Sequence, residues 1–92
     1  MATVVITFKI MPESPEVDLT LVEKQAKDKI TAWAGPGDTR TEIEPIAFGL
    51  KAVKITFLMD EKKGGTETLE EQVNTIEGVQ SCEVIDVRRA VG

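Results

Sequence analysis

The sequence predicts an α+β fold in which a four-stranded antiparallel sheet carries two helices on one face. Several segments show two alternating faces with the period of two that is typical of strands. Two other segments repeat apolar residues every three or four positions, as helices with a single apolar stripe do. The segments follow one another as strand, helix, strand, strand, helix, strand. The chain therefore consists of two strand–helix–strand halves, which together make the βαββαβ arrangement of a ferredoxin-like α/β sandwich.

The first strand is predicted from Thr3 to Met11, where alternate positions form two different faces. One face is wholly apolar and consists of Val4, Ile6, Phe8 and Ile10. The other face is mostly polar and consists of Thr3, Val5, Thr7 and Lys9. The segment Pro12–Pro15 is expected to be a loop, because it contains two closely spaced prolines.

The first helix is predicted over about Asp18–Trp33. Its apolar stripe recurs at intervals of four, four and three residues, at Val22, Ala26, Ile30 and Trp33. This pattern assigns Trp33 to the core. Either Asp18 or Thr20 can cap the N-terminus, since Thr20 stands in capping-box spacing with Glu23. Gly35-Pro36-Gly37 is expected to stop the helix.

The second strand is predicted from Thr39 to Ala47. Ile43 and Ile46 fall on opposite faces of a regular strand, which predicts a bulge near Pro45. Because proline has no backbone N–H to donate, Pro45 also predicts that this strand lies at an edge of the sheet.

The third strand and the second helix have clearer signals. In the strand, one face consists of Val53, Ile55, Phe57 and Met59. The charged, glycine-rich segment from Asp60 to Gly65 is expected to turn. Thr68 and Glu71 have capping-box spacing, and Gly78 fits the left-handed C′ position of the helix. The apolar stripe between them is formed by Leu69, Val73 and Ile76.

The last strand is predicted from Val79 to Arg89. Its apolar residues Val84, Ile85 and Val87 do not share one parity, which indicates a slip partway along the strand. Right-handed crossovers place the second and fourth strands at the outer edges and the first and third in the centre. Residues 1–92 are expected to form one domain around one hydrophobic core.

Composition excludes several classes of function. Eleven Lys and Arg against sixteen Asp and Glu give a net charge of −5, which disfavours binding to nucleic acid. Histidine is absent and Cys82 is the only cysteine, so a zinc site of the Cys–His type and an intramolecular disulfide are excluded. No apolar run has the length of a membrane span, about 20 residues. Without a signal-peptide pattern at the N-terminus, we expect a soluble cytoplasmic protein.

No motif indicates catalysis or a cofactor. The carboxylates of the second helix, at Glu67, Glu70 and Glu71, lie off its apolar stripe and are typical of a solvated face. Lys63-Gly64-Gly65-Thr66 lacks the residue order of a phosphate-binding loop, and Asp60-Glu61 with Glu67 lacks that of an EF-hand. RNA recognition by such a sheet needs exposed aromatic residues on the central strands. Those strands offer Phe8 and Phe57, which fall on the apolar face.

The local sequence does not decide the role of two features. Phe48 lies between Ala47 and Gly49 on a predicted tight turn, where its ring can either pack in the core or project toward a partner. Arg88 and Arg89 are the only adjacent arginines. They can form either a solubilising end of the strand or a basic prong for phosphate or carboxylate.

The sequence resembles the guanine-nucleotide exchange domain of translation elongation factor 1-beta, and is most similar to the archaeal form, in which that domain is the entire protein. The similarity covers the whole chain, and its most specific part is Pro45-Ile46-Ala47-Phe48-Gly49. Supporting matches occur in the segment Met11–Leu19, in Val79-Gln80-Ser81 and in Asp86-Val87-Arg88-Arg89.

The resemblance implies binding to the GTPase elongation factor 1-alpha, in its GDP-bound or nucleotide-free form, and acceleration of GDP release. It implies that Phe48 presses on that partner, with Ile46 and Gly49 beside it. Eukaryotic members carry a lysine next to the C-terminus, directed toward the phosphate end of the nucleotide site. A gapless count from Val79-Gln80-Ser81 puts Arg89, next to Arg88, at that position. The alternative function is a ferredoxin-like protein-interaction or small-molecule regulatory module.

Overall fold

The computed structural model describes residues 3–35, 37–63 and 65–90. Its elements are β1 (Thr3–Pro12), α1 (Leu19–Ala34), β2 (Thr39–Pro45), β3 (Lys51–Asp60), a single 3₁₀ turn (Glu61–Lys63), α2 (Glu67–Asn74) and β4 (Val79–Ala90). The four strands form one sheet in the order β2-β3-β1-β4, and every neighbouring pair is antiparallel. The predicted βαββαβ fold and strand order are confirmed. Pro36 of the predicted helix stop and Gly64 of the predicted turn lie outside the described residues, as do the two residues at each end of the chain.

The core lies between one face of the sheet and both helices. Ile6, Phe8 and Ile10 of β1 are buried, and so are alternate residues of β3. The rings of Phe8 and Phe57 meet edge to face, with centroids 5.0 Å apart, so the aromatic residues of the central strands are core residues. The helices contribute Val22, Ala26, Ile30, Leu69, Val73 and Ile76. Trp33, which the stripe assigned to the core, is half-buried and packs at the core's margin.

The start of α1 decides between the two predicted caps. The Asp18 carboxylate accepts hydrogen bonds from the backbone N–H groups of Thr20 at 3.0 Å and Leu21 at 3.3 Å. Asp18 is therefore the N-cap, and it satisfies donors that have no partner within the first helical turn. At the other end, the Gly35 N–H donates to the Thr31 carbonyl at 2.9 Å, and its φ of 89° leaves the helical region.

The capping-box prediction for α2 was wrong, because the helix begins earlier than Thr68. Thr66 occupies the N-cap position, and its hydroxyl donates to the Glu70 carboxylate at 3.1 Å. Gly78 has the expected positive φ, 91°, but lies beyond the C-cap Thr75, in the turn that leads to β4. It is required there by close approach as well, since a Cβ at Gly78 would lie 2.9 Å from Val17 Cγ1.

β2 pairs with β3 without interruption from Thr39, opposite Phe57, to Pro45, opposite Lys51. The predicted change of face comes directly after Pro45. The Ile46 N–H donates to the Leu50 carbonyl and the Leu50 N–H donates to the Ala47 carbonyl, so two residues lie opposite one, as in a bulge. The edge position of β2 is confirmed.

The slip predicted in β4 is confirmed and has a structural consequence. Val84 lies opposite Phe8 and Asp86 lies opposite Thr7, so Ile85 is an extra residue in this strand. The bulge reverses the parity of everything that follows it. Arg89, opposite Val4, therefore shares the helix-bearing side of the sheet, whereas Arg88 belongs to the open side.

Candidate functional site

The Phe48 turn, residues 46–50, connects the edge strand β2 to the central strand β3. The Ile46 N–H donates to the Leu50 carbonyl at 2.7 Å, and the Leu50 N–H donates to the Ala47 carbonyl at 3.1 Å. Between them, Phe48 and Gly49 both have positive φ, 60° and 78°. Positive φ at both central residues is the type I′ pattern, whose twist matches that of an antiparallel hairpin.

Phe48 is strained and exposed at once. Within the described part of the chain it is the only residue other than glycine with positive φ, a conformation that costs an L-residue about 1–2 kcal/mol. Its side chain is 94% exposed, more than that of any other large apolar residue described. The folded chain thus gains almost no burial from the ring. A single exposed apolar residue is ordinary, but one held in an unfavourable backbone conformation calls for a reason outside the fold.

A neighbouring loop, which is itself bonded to a second one, supports the Phe48 turn. Pro15 of the β1–α1 loop lies against Gly49, since a Cβ there would be 3.9 Å from Pro15 Cγ. On its other side, the same loop is tied to the α2–β4 turn by a 2.9 Å hydrogen bond from the Glu13 N–H to the Gly78 carbonyl. Ile46 is half-buried at the base of the turn. The ring of Phe48 therefore projects from a base that is fixed by its neighbours.

The two arginines lie at the other end of the sheet and have different partners. Arg89 forms an ion pair with Glu61, at the start of the 3₁₀ turn. Arg88 pairs with Asp86 of its own strand at 2.9 Å. The Arg89 side chain is 67% exposed, and ion pairs in such a setting contribute about 0–1 kcal/mol. Either arginine can therefore exchange its carboxylate for an anion on a partner at little cost in folding free energy.

Sequence reasoning did not identify Glu61 as a partner of Arg89. From the sequence, Glu61 was placed in a charged turn and in an EF-hand pattern that was rejected, 28 residues before the arginine. No local pattern connects the two positions. The pairing follows from the β4 bulge, which turns Arg89 rather than Arg88 toward the helix-bearing side.

The candidate residues form two separate groups and not one cluster. Arg89 is level with Val4, and Val53, five residues after Phe48, is level with Ile10. Val4 and Ile10 are six positions apart on β1, about 20 Å along a strand. The Phe48 turn extends beyond that point. A partner that contacts both groups must therefore present a surface longer than about 20 Å.

The described residues contain no group of three or more His, Cys, Asp or Glu side chains that could hold a metal ion. Burial, reinforced by the charges of Glu70 and Glu83, raises the pKa of the Cys82 thiol to about 12. This thiol stays protonated near neutral pH and is unsuited to nucleophilic chemistry. In the part of the chain that the structure covers, no helix is long and apolar enough to cross a bilayer.

Solved structures resemble this fold without close sequence similarity. A de novo designed protein, Foldit4, aligns with a TM-score of 0.63 at 17% identity and covers 98% of each chain. The BlrP1 BLUF structure aligns with a TM-score of 0.57 at 12% identity, covering 100% of this chain and 57% of the other. Both likenesses concern the fold alone.

Sequence comparison is more specific. Elongation factor 1-beta of Methanothermobacter thermautotrophicus is 45% identical over 89 residues, which are 97% of this chain and 98% of the relative. Elongation factor 1-beta of Metallosphaera sedula is 43% identical over 90 residues, 97% of each chain. The model of the EF-1 guanine nucleotide exchange domain matches residues 5–90, which include the Phe48 turn and both arginines. The chain belongs to the family of EF-1 guanine nucleotide exchange domains.

Proposed function

We propose that this protein promotes the release of GDP from elongation factor 1-alpha and its reloading with GTP during polypeptide elongation in the cytoplasm. Family membership supports an exchange role. The relatives that match nearly the whole chain are named elongation factor 1-beta. The observation that extends the proposal to particular residues is that Phe48 combines a 94% exposed side chain with a positive φ of its backbone. No covalent step or cofactor is required of this chain.

Exchange of this kind is a matter of differential binding. A factor that binds the nucleotide-free GTPase more tightly than the GDP-bound form must weaken GDP binding by the same ratio. The factor therefore needs contacts that favour one state of its partner. The Phe48 group and the arginine group are two sources of such contacts, at opposite ends of the sheet.

The first contact is hydrophobic. Burying a phenylalanine side chain in a partner contributes about 1.5–3 kcal/mol. At about 1.4 kcal/mol for each factor of ten, this corresponds to at least a tenfold change in affinity. Ile46 and Gly49 serve the same contact, Ile46 by anchoring the turn and Gly49 by adopting the φ of 78° that the turn needs.

The second contact is electrostatic. Arg89 presents a planar, permanently charged guanidinium that suits phosphate or carboxylate groups. Its bond to Glu61 orients it before the partner arrives, and the exposure of that pair allows the anion to be exchanged. Arg88 adds a second cation on the open side of the same strand end.

The proposal is tested by measuring the affinity of this protein for both states of elongation factor 1-alpha. Calorimetric titration into the nucleotide-free GTPase should give a dissociation constant at least tenfold lower than titration into the GDP-bound form, as linkage requires for exchange. Equal affinities would contradict the proposed function, since a ligand that binds both states equally shifts no equilibrium.

A further inference from the structure

A second surface lies on the far side of the β1–α1 loop from the Phe48 turn. It is a groove of about 390 Å³ between this loop, the first turns of α1 and the α2–β4 turn. Val17 and Leu21 form apolar parts of its wall, and Leu21 remains 50% exposed. We call it the α1 groove.

The walls of the α1 groove are held by the fold. The Glu13 N–H bonds to the Gly78 carbonyl, which ties two of the walls together. Val17 packs so closely on Gly78 that a Cβ there would clash with it. The Asp18 cap fixes the first turn of α1, the third wall. The groove is therefore preformed and needs no rearrangement to accept a ligand.

Charge selects what the groove accepts. Glu13, Asp18 and Glu77 line it, and among the described residues no lysine or arginine does. Capping uses one Asp18 oxygen, and a carboxylate can accept further bonds at the other. Anionic phosphates of nucleic acid or lipid headgroups are repelled by this rim, whereas cations are attracted.

We propose that the α1 groove docks a segment of a partner protein that carries one large apolar side chain between lysine or arginine residues. The apolar side chain contacts Val17 and Leu21, and the flanking cations meet Glu13 and Glu77 at the rim. This role is separate from nucleotide exchange and does not depend on Phe48 or Arg89. The rim charges are exposed, so docking weakens as salt rises.

The test uses the full chain labelled with ¹⁵N and three capped tripeptides. The tripeptide Lys-Leu-Lys combines both features, Glu-Leu-Glu reverses the charge, and Lys-Ser-Lys removes the apolar side chain. Titration with Lys-Leu-Lys should shift the amide signals of Val17, Leu21 and Gly78, with a dissociation constant on the order of 1 mM. Either other peptide should bind at least tenfold more weakly. These titrations use the unaltered chain. Amide shifts of equal size with Glu-Leu-Glu, or no shifts with Lys-Leu-Lys, would overturn the proposal.

Matched variants locate the site. Leu21→Ser should weaken Lys-Leu-Lys at least fivefold, whereas Leu58→Ser, at a leucine of similar exposure on the open side of the sheet, should not. The pair Glu13→Gln and Glu77→Gln should weaken the salt dependence, with the exposed α2 pair Glu67→Gln and Glu71→Gln as control. Equal losses in the groove and control variants would show attraction to the net charge alone and would refute a specific groove.

Discussion

Replacing Phe48 by alanine separates a role in folding from a role in partner binding. The ring is 94% exposed, so its removal takes almost no buried apolar surface from the folded state. Truncating a core phenylalanine costs about 3–5 kcal/mol. Surface substitutions instead stay within about 0.5 kcal/mol. We expect the free energy of unfolding of Phe48→Ala to fall in the second range.

The same change should act strongly on the partner side. Burial of the ring in the partner contributes about 1.5–3 kcal/mol. Without this contribution, GDP release from elongation factor 1-alpha should be at least tenfold slower at subsaturating concentrations of this protein. The assay pairs a urea denaturation curve with release of a fluorescent GDP analogue. Leu58→Ala is the matched control, because Leu58 is also exposed and apolar but lies on the open side of the sheet, away from the turn.

Phe48→Gly sharpens the comparison. Glycine relieves the φ of 60° but gains freedom in the unfolded chain, so stability should stay level or rise while exchange falls as in Phe48→Ala. Exchange at the normal rate in either variant would refute the proposed contact. A loss of stability on the scale of a core truncation would refute the reading of the ring as exposed.

Four further predictions concern the rest of the chain. Val73→Ala should cost about 1–3 kcal/mol, because Val73 is fully buried, and an unchanged denaturation midpoint would contradict its place in the core. Arg89→Ala should slow GDP release without changing the melting temperature, and Arg89→Lys should retain activity; full activity in Arg89→Ala would remove it from the site. Calorimetry should detect no micromolar binding of GDP or GTP to this protein alone, and such binding would place a nucleotide site here. The pKa of Cys82 is about 12 in the folded state, so its contribution to stability is lost as pH rises above the ordinary pKa of a thiol. In denaturation curves from pH 8 to 11, the free energy of unfolding should therefore fall more steeply than it does in Cys82→Ala. Parallel declines in the two proteins would contradict the raised pKa.

Most of the fold could be predicted from the alternation of apolar and polar side chains. Val4, Ile6, Phe8 and Ile10 predicted the buried face of β1 because a half-buried strand has only one arrangement that hides them. The mixed parity of Val84 and Ile85 predicted the β4 bulge for the same reason. The ends of the second helix were harder, because threonine occurs at both 66 and 68 and spacing alone favoured the wrong one.

The site was less predictable than the fold. Phe48 and Gly49 indicated a tight turn, but whether the ring packs or projects depends on the backbone, and the resemblance alone favoured projection. The pairing of Arg89 with Glu61 arises from contacts 28 residues apart. The α1 groove likewise joins three segments distant in sequence, so no local motif could indicate it.

The most direct test of the central claim is the rate of fluorescent GDP release from elongation factor 1-alpha with and without this protein, in excess unlabelled GTP. The unaltered chain should accelerate release at least tenfold, the factor that burial of one aromatic ring supports, and the rate should rise with its concentration until it saturates. Release at the same rate with and without the protein would contradict a role of this chain in nucleotide exchange.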